Sequence, residues 1–188
     1  MPSEFTLHAR NAQHNVTMGG NNIVFNMMAS APNCSDTDRG RRVGNQEDYR
    51  NFLRLAQMHN ILHVTGGYPV EPVDIHASIR HLDCIQDYIT LTDKAYCIYS
   101  LGGERVADAI EMTRIAHGLT HDQMRDWACM FSIINTNSPL QLDIPMMQGV
   151  MDLAQMGQPV VITPFTLAGA MAPITIAGAV TLQNAEAL

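Results

Sequence analysis

The chain has 188 residues, 46% of them hydrophobic and 15% charged, and a formal net charge of −7. That is enough apolar material to bury a core and too much for a disordered chain. The acidic balance, with basic clustering confined to Arg39, Arg41 and Arg42, argues against a nucleic-acid partner or an anionic membrane surface.

Taken in chain order, Ile23-Val24-Phe25 reads as a first strand. Asn45 then caps a helix whose Tyr49, Phe52, Leu53 and Ala56 fall on one face, with Asp48 three residues after the cap. Leu62 to Thr65 is a second strand, closed by Gly66-Gly67. Asp74 is expected to cap a second helix carrying the stripe Ile75, Ile79, Leu82, Ile85 and Ile89. Ala95 to Tyr99 is a third strand, followed by Gly102-Gly103 and a helix with Val106, Ala109, Ile110 and Ala116 inward, although Thr113 shares that face. Thr120 and Gln123 stand at capping-box spacing for a short extra helix with Met124 and Trp127. Met130 to Ile134 is a fourth strand, ending in Asn135-Thr136-Asn137-Ser138. Asp143 caps a helix expected to bury Ile144, Met147, Val150, Met151 and Ala154, and Gly157 stops it. Val160 to Ile162 is a fifth strand, and Pro173 reads as a first-turn proline of a last helix.

The strand starts near 23, 62, 95, 130 and 160 are spaced by about 34 residues, the size of a βαβ unit. The fold class is therefore α/β with a parallel sheet. Two architectures fit: about five units of a partial (β/α)8 barrel, or a five-stranded flavodoxin-like open sheet. The last eight residues, Thr181 to Leu188, still read as helix, with no closing glycine and no basic residue. The expectation is one barrel domain over residues 1–188, cut at its C-terminal end.

Thirteen methionines suggest an adaptable interior. Cys34, Cys84, Cys97 and Cys129 have wide, irregular spacings and read as reduced core thiols. The opening residues carry no apolar leader, so a cytoplasmic location is expected. Residues 153–185 hold no charged side chain, but Pro159, Pro164 and Pro173 divide the run into pieces too short to span a membrane. His59/His63 and His117/His121 are four apart without completing a ligand set at zinc spacing, so no metal is expected. There is no GxGxxG, P-loop, GxSxG or HExxH.

In parallel α/β folds, function gathers at the C-terminal strand ends. Here those ends supply Thr65, Gly66, Tyr68, Tyr99, Ser100, Asn135, Asn137, Ser138, Thr163 and Phe165, with Glu71 and Glu104 further along the loops. Such an uncharged set of hydroxyls, amides and rings suits a small polar or cationic ligand, with Tyr68, Tyr99 and Phe165 able to face a quaternary ammonium. The same Asn, Ser and Thr side chains could equally satisfy loop backbone and cap helices.

Several stretches resemble the trimethylamine methyltransferase family: Leu7-His8-Ala9-Arg10-Asn11, Asn15-Val16-Thr17, Glu71-Pro72-Val73-Asp74 with Arg80-His81-Leu82-Asp83, and Ile134 to Leu140. The most specific piece runs from Pro164-Phe165-Thr166-Leu167-Ala168-Gly169 through Pro173 to Gln183-Asn184-Ala185-Glu186-Ala187. The resemblance implies a (β/α)8 barrel of which a third or more lies outside this chain, and, since family members usually carry further sequence before the Leu7-to-Asn11 stretch, a cut at the N-terminal end as well. It further implies methyl transfer from a small methylated amine to the cobalt of a corrinoid held by a separate carrier protein. The best-known members act on trimethylamine and carry pyrrolysine late in the barrel, beyond the position of Leu188. Others lack it and act on quaternary amines such as glycine betaine. The partners implied are thus the amine and the corrinoid carrier protein, with a homo-oligomer left open. No residue of this chain is assigned a catalytic role. The fragment alone is expected to be inactive, and the alternative readings are a methylamine-binding module without turnover, an inactive fragment, or a complete five-strand domain of unrelated function.

Overall fold

The apolar runs that read as strands lie side by side in sequence order. The computed structural model describes residues 2–27 and 29–188. Two antiparallel hairpins come first, β1 (Glu4–Leu7) with β2 (Val16–Gly19) and β3 (Asn33–Asp36) with β4 (Gly40–Val43). Next are α1 (Gln46–Met58), β5 (Thr65–Gly66), α2 (Arg80–Leu91), β6 (Tyr96–Ile98), α3 (Gly103–His117) and α4 (His121–Arg125). Then come β7 (Met130–Thr136), α5 (Ile144–Gln155), β8 (Val160–Pro164) and α6 (Ile176–Ala187). Strands β5, β6, β7 and β8 form one parallel sheet in that order, with Thr65 opposite Tyr96, Tyr96 opposite Met130 and Ser132 opposite Val160.

A flavodoxin-like sheet needs a reversal of strand order between its first two units. Here the pairing runs straight through. Asn26 forms a parallel bridge with Val64, and Phe25 accepts the His63 N–H at 3.0 Å, so the first unit adds to the β5 edge. The first expected strand is reduced to this bridge and the few hydrogen bonds beside it. Ile23 is 76% exposed, and Ile23 to Phe25 never form a ladder. The two hairpins had no strong sequence signal, because their strands are only four residues long and largely polar.

Helix caps written locally in the chain are where the sequence puts them. The Asn45 side chain accepts the Asp48 N–H at 2.8 Å. Thr120 and Gln123 close a full capping box around α4, although Trp127 lies beyond that helix, stacked on His8 at 3.6 Å. Asp74 is different. Helix α2 begins six residues later, at Arg80, and the Asp74 carboxylate instead accepts the Gln46 N–H at 2.9 Å. It therefore caps α1 from a neighbouring loop. Pro173 likewise precedes the last helix; Thr175 is the cap, accepting from Gly178 N–H at 3.2 Å. The far end of α1 is closed by the only lysine in the chain. Lys94 Nζ donates to the carbonyls of Ala56 (2.6 Å), His59 (2.9 Å) and Leu62 (2.7 Å), satisfying acceptors that a helix end leaves open. Burial lowers its pKa.

Two cores sit on opposite faces of the sheet, as the two-residue period of a strand requires. On the outer face, Tyr96, Ile98 and Met130 pack against helical residues including Tyr49, Leu53, Tyr88, Val106 and Leu153. On the inner face, Val64, Ala95, Cys97 and Phe131 pack against Leu7 and Val16 of the first hairpin. Burying each of these larger aliphatic side chains contributes about 1.5–3 kcal/mol. The four cysteines are all buried, free thiols.

Helix α5 does not bury the stripe expected of it. Ile144 is 85% exposed, Met147 and Met151 are also exposed, and the buried positions are Gly149 and Leu153. The reason is close packing: a Cβ on Gly149 would lie 1.8 Å from Ser100 Oγ, so α5 approaches the sheet through its glycine. Among the described residues no helix is long and apolar enough to cross a membrane.

Candidate functional site

The candidate site begins with a glycine. Gly67 follows β5 at φ +54°, and a Cβ there would fall 2.7 Å from the Tyr99 hydroxyl and 2.5 Å from Ala29 Cβ. Only glycine tolerates both the left-handed backbone and that approach. Tyr99, at the end of β6, accepts the Tyr68 N–H at 3.1 Å and shares a 2.6 Å hydrogen bond with Ser30 Oγ. The Tyr68 and Tyr99 rings meet edge to face with centroids 4.7 Å apart. Behind them, Tyr88 donates to the Gly67 carbonyl and stacks on Tyr96 at 5.1 Å. The loop after β5 is thus held by two tyrosines, one on each side.

These residues border a cleft of about 310 Å³ at the C-terminal ends of β6 and β7. Tyr68, Tyr99, Ser100 and Asn135 of the expected set line it, and Ser30, Glu71, Leu101, Ile133, Ile134 and Met146 complete it. Glu71 brings the one carboxylate, and it is paired with Arg80. Burial raises the pKa of both Tyr68 and Tyr99 further above the ordinary phenol range, and the two neutral phenols act as hydrogen-bonding aromatic surfaces. Thr163 joins the site indirectly, donating to Asn135 Oδ1 at 2.6 Å across the β7–β8 ladder.

The remaining expected residues lie elsewhere. Thr65 pairs with Tyr96 on the outer face, fully buried, with its hydroxyl unpartnered. Gly66 lies beneath the Asn26 amide, which occupies the place of a side chain. Ser138 donates to Glu186 at 2.8 Å, and Asn137 closes a backbone bridge with Gln141. Phe165 is exposed just past β8 and does not line the cleft. Ser30 and Met146 gave no signal in the sequence, because both arrive from distant segments. Among the described residues no group of three or more His, Cys, Asp or Glu side chains converges as a metal ligand set.

An enclosed pair of neutral aromatic rings, one carboxylate and one amide can hold a small organic cation. The profile of the trimethylamine methyltransferase (MTTB) family matches residues 1–188. A glycine betaine methyltransferase from Desulfitobacterium hafniense is 39% identical over 187 residues, covering 100% of this chain and 39% of that protein. A trimethylamine methyltransferase, MttB, from the same species is 26% identical over 192 residues, covering 100% of this chain and 38% of that protein. The chain thus spans about two fifths of the length of the curated relatives it matches.

Proposed function

The chain belongs to the trimethylamine methyltransferase family, and from that premise we propose that it forms the donor-binding part of a methyltransferase for quaternary amines of the glycine betaine class. The observation that carries this reading is the cleft in which the Tyr68 and Tyr99 rings stand beside Glu71 and Asn135. The rings favour a trimethylammonium group through cation–π attraction, beside a Glu71 carboxylate whose charge Arg80 balances. The Asn135 amide offers a hydrogen-bond donor to the carboxylate at the other end of a betaine.

The protonation chemistry is consistent with this choice. Loss of a methyl group from a quaternary ammonium leaves a neutral amine, so no acid is needed at the nitrogen. Neutral phenols are adequate for such a donor. The methyl acceptor in this reading is the cobalt of a corrinoid on a separate carrier protein, which enters as the second substrate and supplies the nucleophile. What this chain contributes is position and exclusion of water. The cleft mouth is flanked by Leu101, 44% exposed, an apolar rim that leaves approach to the donor open. The unbroken sequential order of parallel strands fits part of a (β/α)8 wall, whose sites lie at this end.

The test is methyl transfer to cob(I)alamin by the intact protein, followed by loss of the reduced corrinoid's absorbance, with glycine betaine and trimethylamine as rival donors. Turnover with betaine supports the reading. Turnover with trimethylamine alone, or with neither, overturns it.

A further inference from the structure

Glu186 ends the uncharged run of residues 153–185 and sits on α6, which buries no side chain. Its carboxylate is nevertheless fully engaged. It accepts from Thr136 Oγ1 at 2.5 Å, from Ser138 Oγ at 2.8 Å and from the Leu140 N–H at 2.9 Å. The first donor is the last residue of β7, and the other two lie in the turn between β7 and α5. That turn is tight: Asn137 and Gln141 exchange backbone hydrogen bonds of 2.7 and 3.0 Å. Inside it Leu140 adopts φ +56°, a left-handed conformation that an L side chain rarely occupies and that persists only where its surroundings enforce it.

Thr136, one of the three residues held by Glu186, directly follows Asn135, the amide that lines the cleft. We propose that Glu186 is a positioning residue, clamping the β7–α5 turn so that Asn135 is presented to the methyl donor; this rests on the donor-cleft reading above. A carboxylate is the suitable acceptor, because two oxygens can take three donors and the negative charge strengthens each bond. The bonds from Thr136 and Leu140 hold the carboxyl below its usual range, so they favour its ionised form.

Glu186→Ala and Glu186→Gln in the intact protein test this, read by amide exchange, thermal melting and steady-state kinetics with glycine betaine. The alanine variant is expected to speed exchange at Leu140 and Gln141 by about tenfold and to raise KM by a similar factor, with little change in kcat or Tm. The glutamine variant keeps one carbonyl acceptor and should recover part of both effects. It also serves if the alanine variant fails to fold. Unchanged exchange, or a fall in Tm with KM unmoved, overturns the proposal. If the wild-type protein ignores betaine, the donor-cleft reading fails instead, and the exchange measurement still decides whether Glu186 clamps the turn.

Discussion

The two faces of the parallel sheet use polar side chains in different ways. On the outer face they hold elements to one another: Tyr96 bonds Thr113 of α3 at 2.7 Å, Ser132 donates to the Ile98 carbonyl at 2.9 Å, and Thr136 reaches Glu186 of α6. On the inner face, toward the strand ends, Tyr99, Asn135 and Thr163 gather around a cleft, with Ile133 of the same face 38% exposed between them. Within β7 and β8 a hydroxyl or amide near the strand end is therefore structural or close to the cleft according to its parity, whereas Ser100, past the end of β6, lines the cleft with the parity of Ile98. Residue type alone does not separate the two.

The sharpest way to break this comparison is from the outer side. Tyr88 is fully buried between Tyr49 and Tyr96 and donates to the Gly67 carbonyl. Tyr88→Ala should cost about 3–5 kcal/mol in chemical denaturation, through the cavity it leaves. A loss below about 1 kcal/mol would mean that the outer core is not what holds the sheet.

The next test uses pH. His117, at the end of α3, is partly buried and lies near Arg10 and His8 of the N-terminal segment. Burial, aided by those neighbours, pushes its pKa down from 6.5 to about 4. Between those values the unfolded chain binds a proton that the folded chain does not, so stability is full above about pH 6.5 and falls as the pH drops toward 4. Melting temperatures from pH 7.5 to 4.5 should decline across that window, and His117→Phe should flatten this part of the slope. An unchanged slope in the variant would assign the acid loss to other groups.

The inner face responds differently. Tyr99→Phe removes the hydroxyl that accepts the Tyr68 N–H and bonds Ser30, while keeping the ring. It should weaken glycine betaine binding by about tenfold in calorimetry and lower stability by only about 1 kcal/mol. The reverse ranking, a large stability loss with unchanged affinity, would place Tyr99 among the structural side chains.

How much of this was legible in the sequence follows from how far each signal reaches. Asn45, Thr120 and Gln123 act on backbone groups within three residues, and their caps were readable. The periodic strands Met130–Thr136 and Val160–Pro164 were readable to within two residues at each end. Asp74 was misread because its partner, Gln46 N–H, is 28 residues away. Helix α5 was misread because it is apolar around most of its circumference, so periodicity could not reveal that Gly149 faces the sheet. The site suffered from the same limit. Tyr68, Tyr99 and Asn135 could be placed at strand ends, but β5 is only two residues long, and which face Thr65 takes depends on its register against Tyr96.

Thr65 therefore gives the smallest and most discriminating test of the comparison. It was expected to touch ligand, yet its side chain is fully buried on the outer face with Oγ1 lacking any partner. A buried hydroxyl without a hydrogen bond is a cost that an isosteric methyl removes. Thr65→Val should accordingly raise stability by about 1 kcal/mol, seen as a higher denaturation midpoint at unchanged slope, and leave betaine affinity alone. If stability fails to rise and affinity drops, the hydroxyl is kept for a ligand or for a water serving one, and the division between the two faces does not extend to β5.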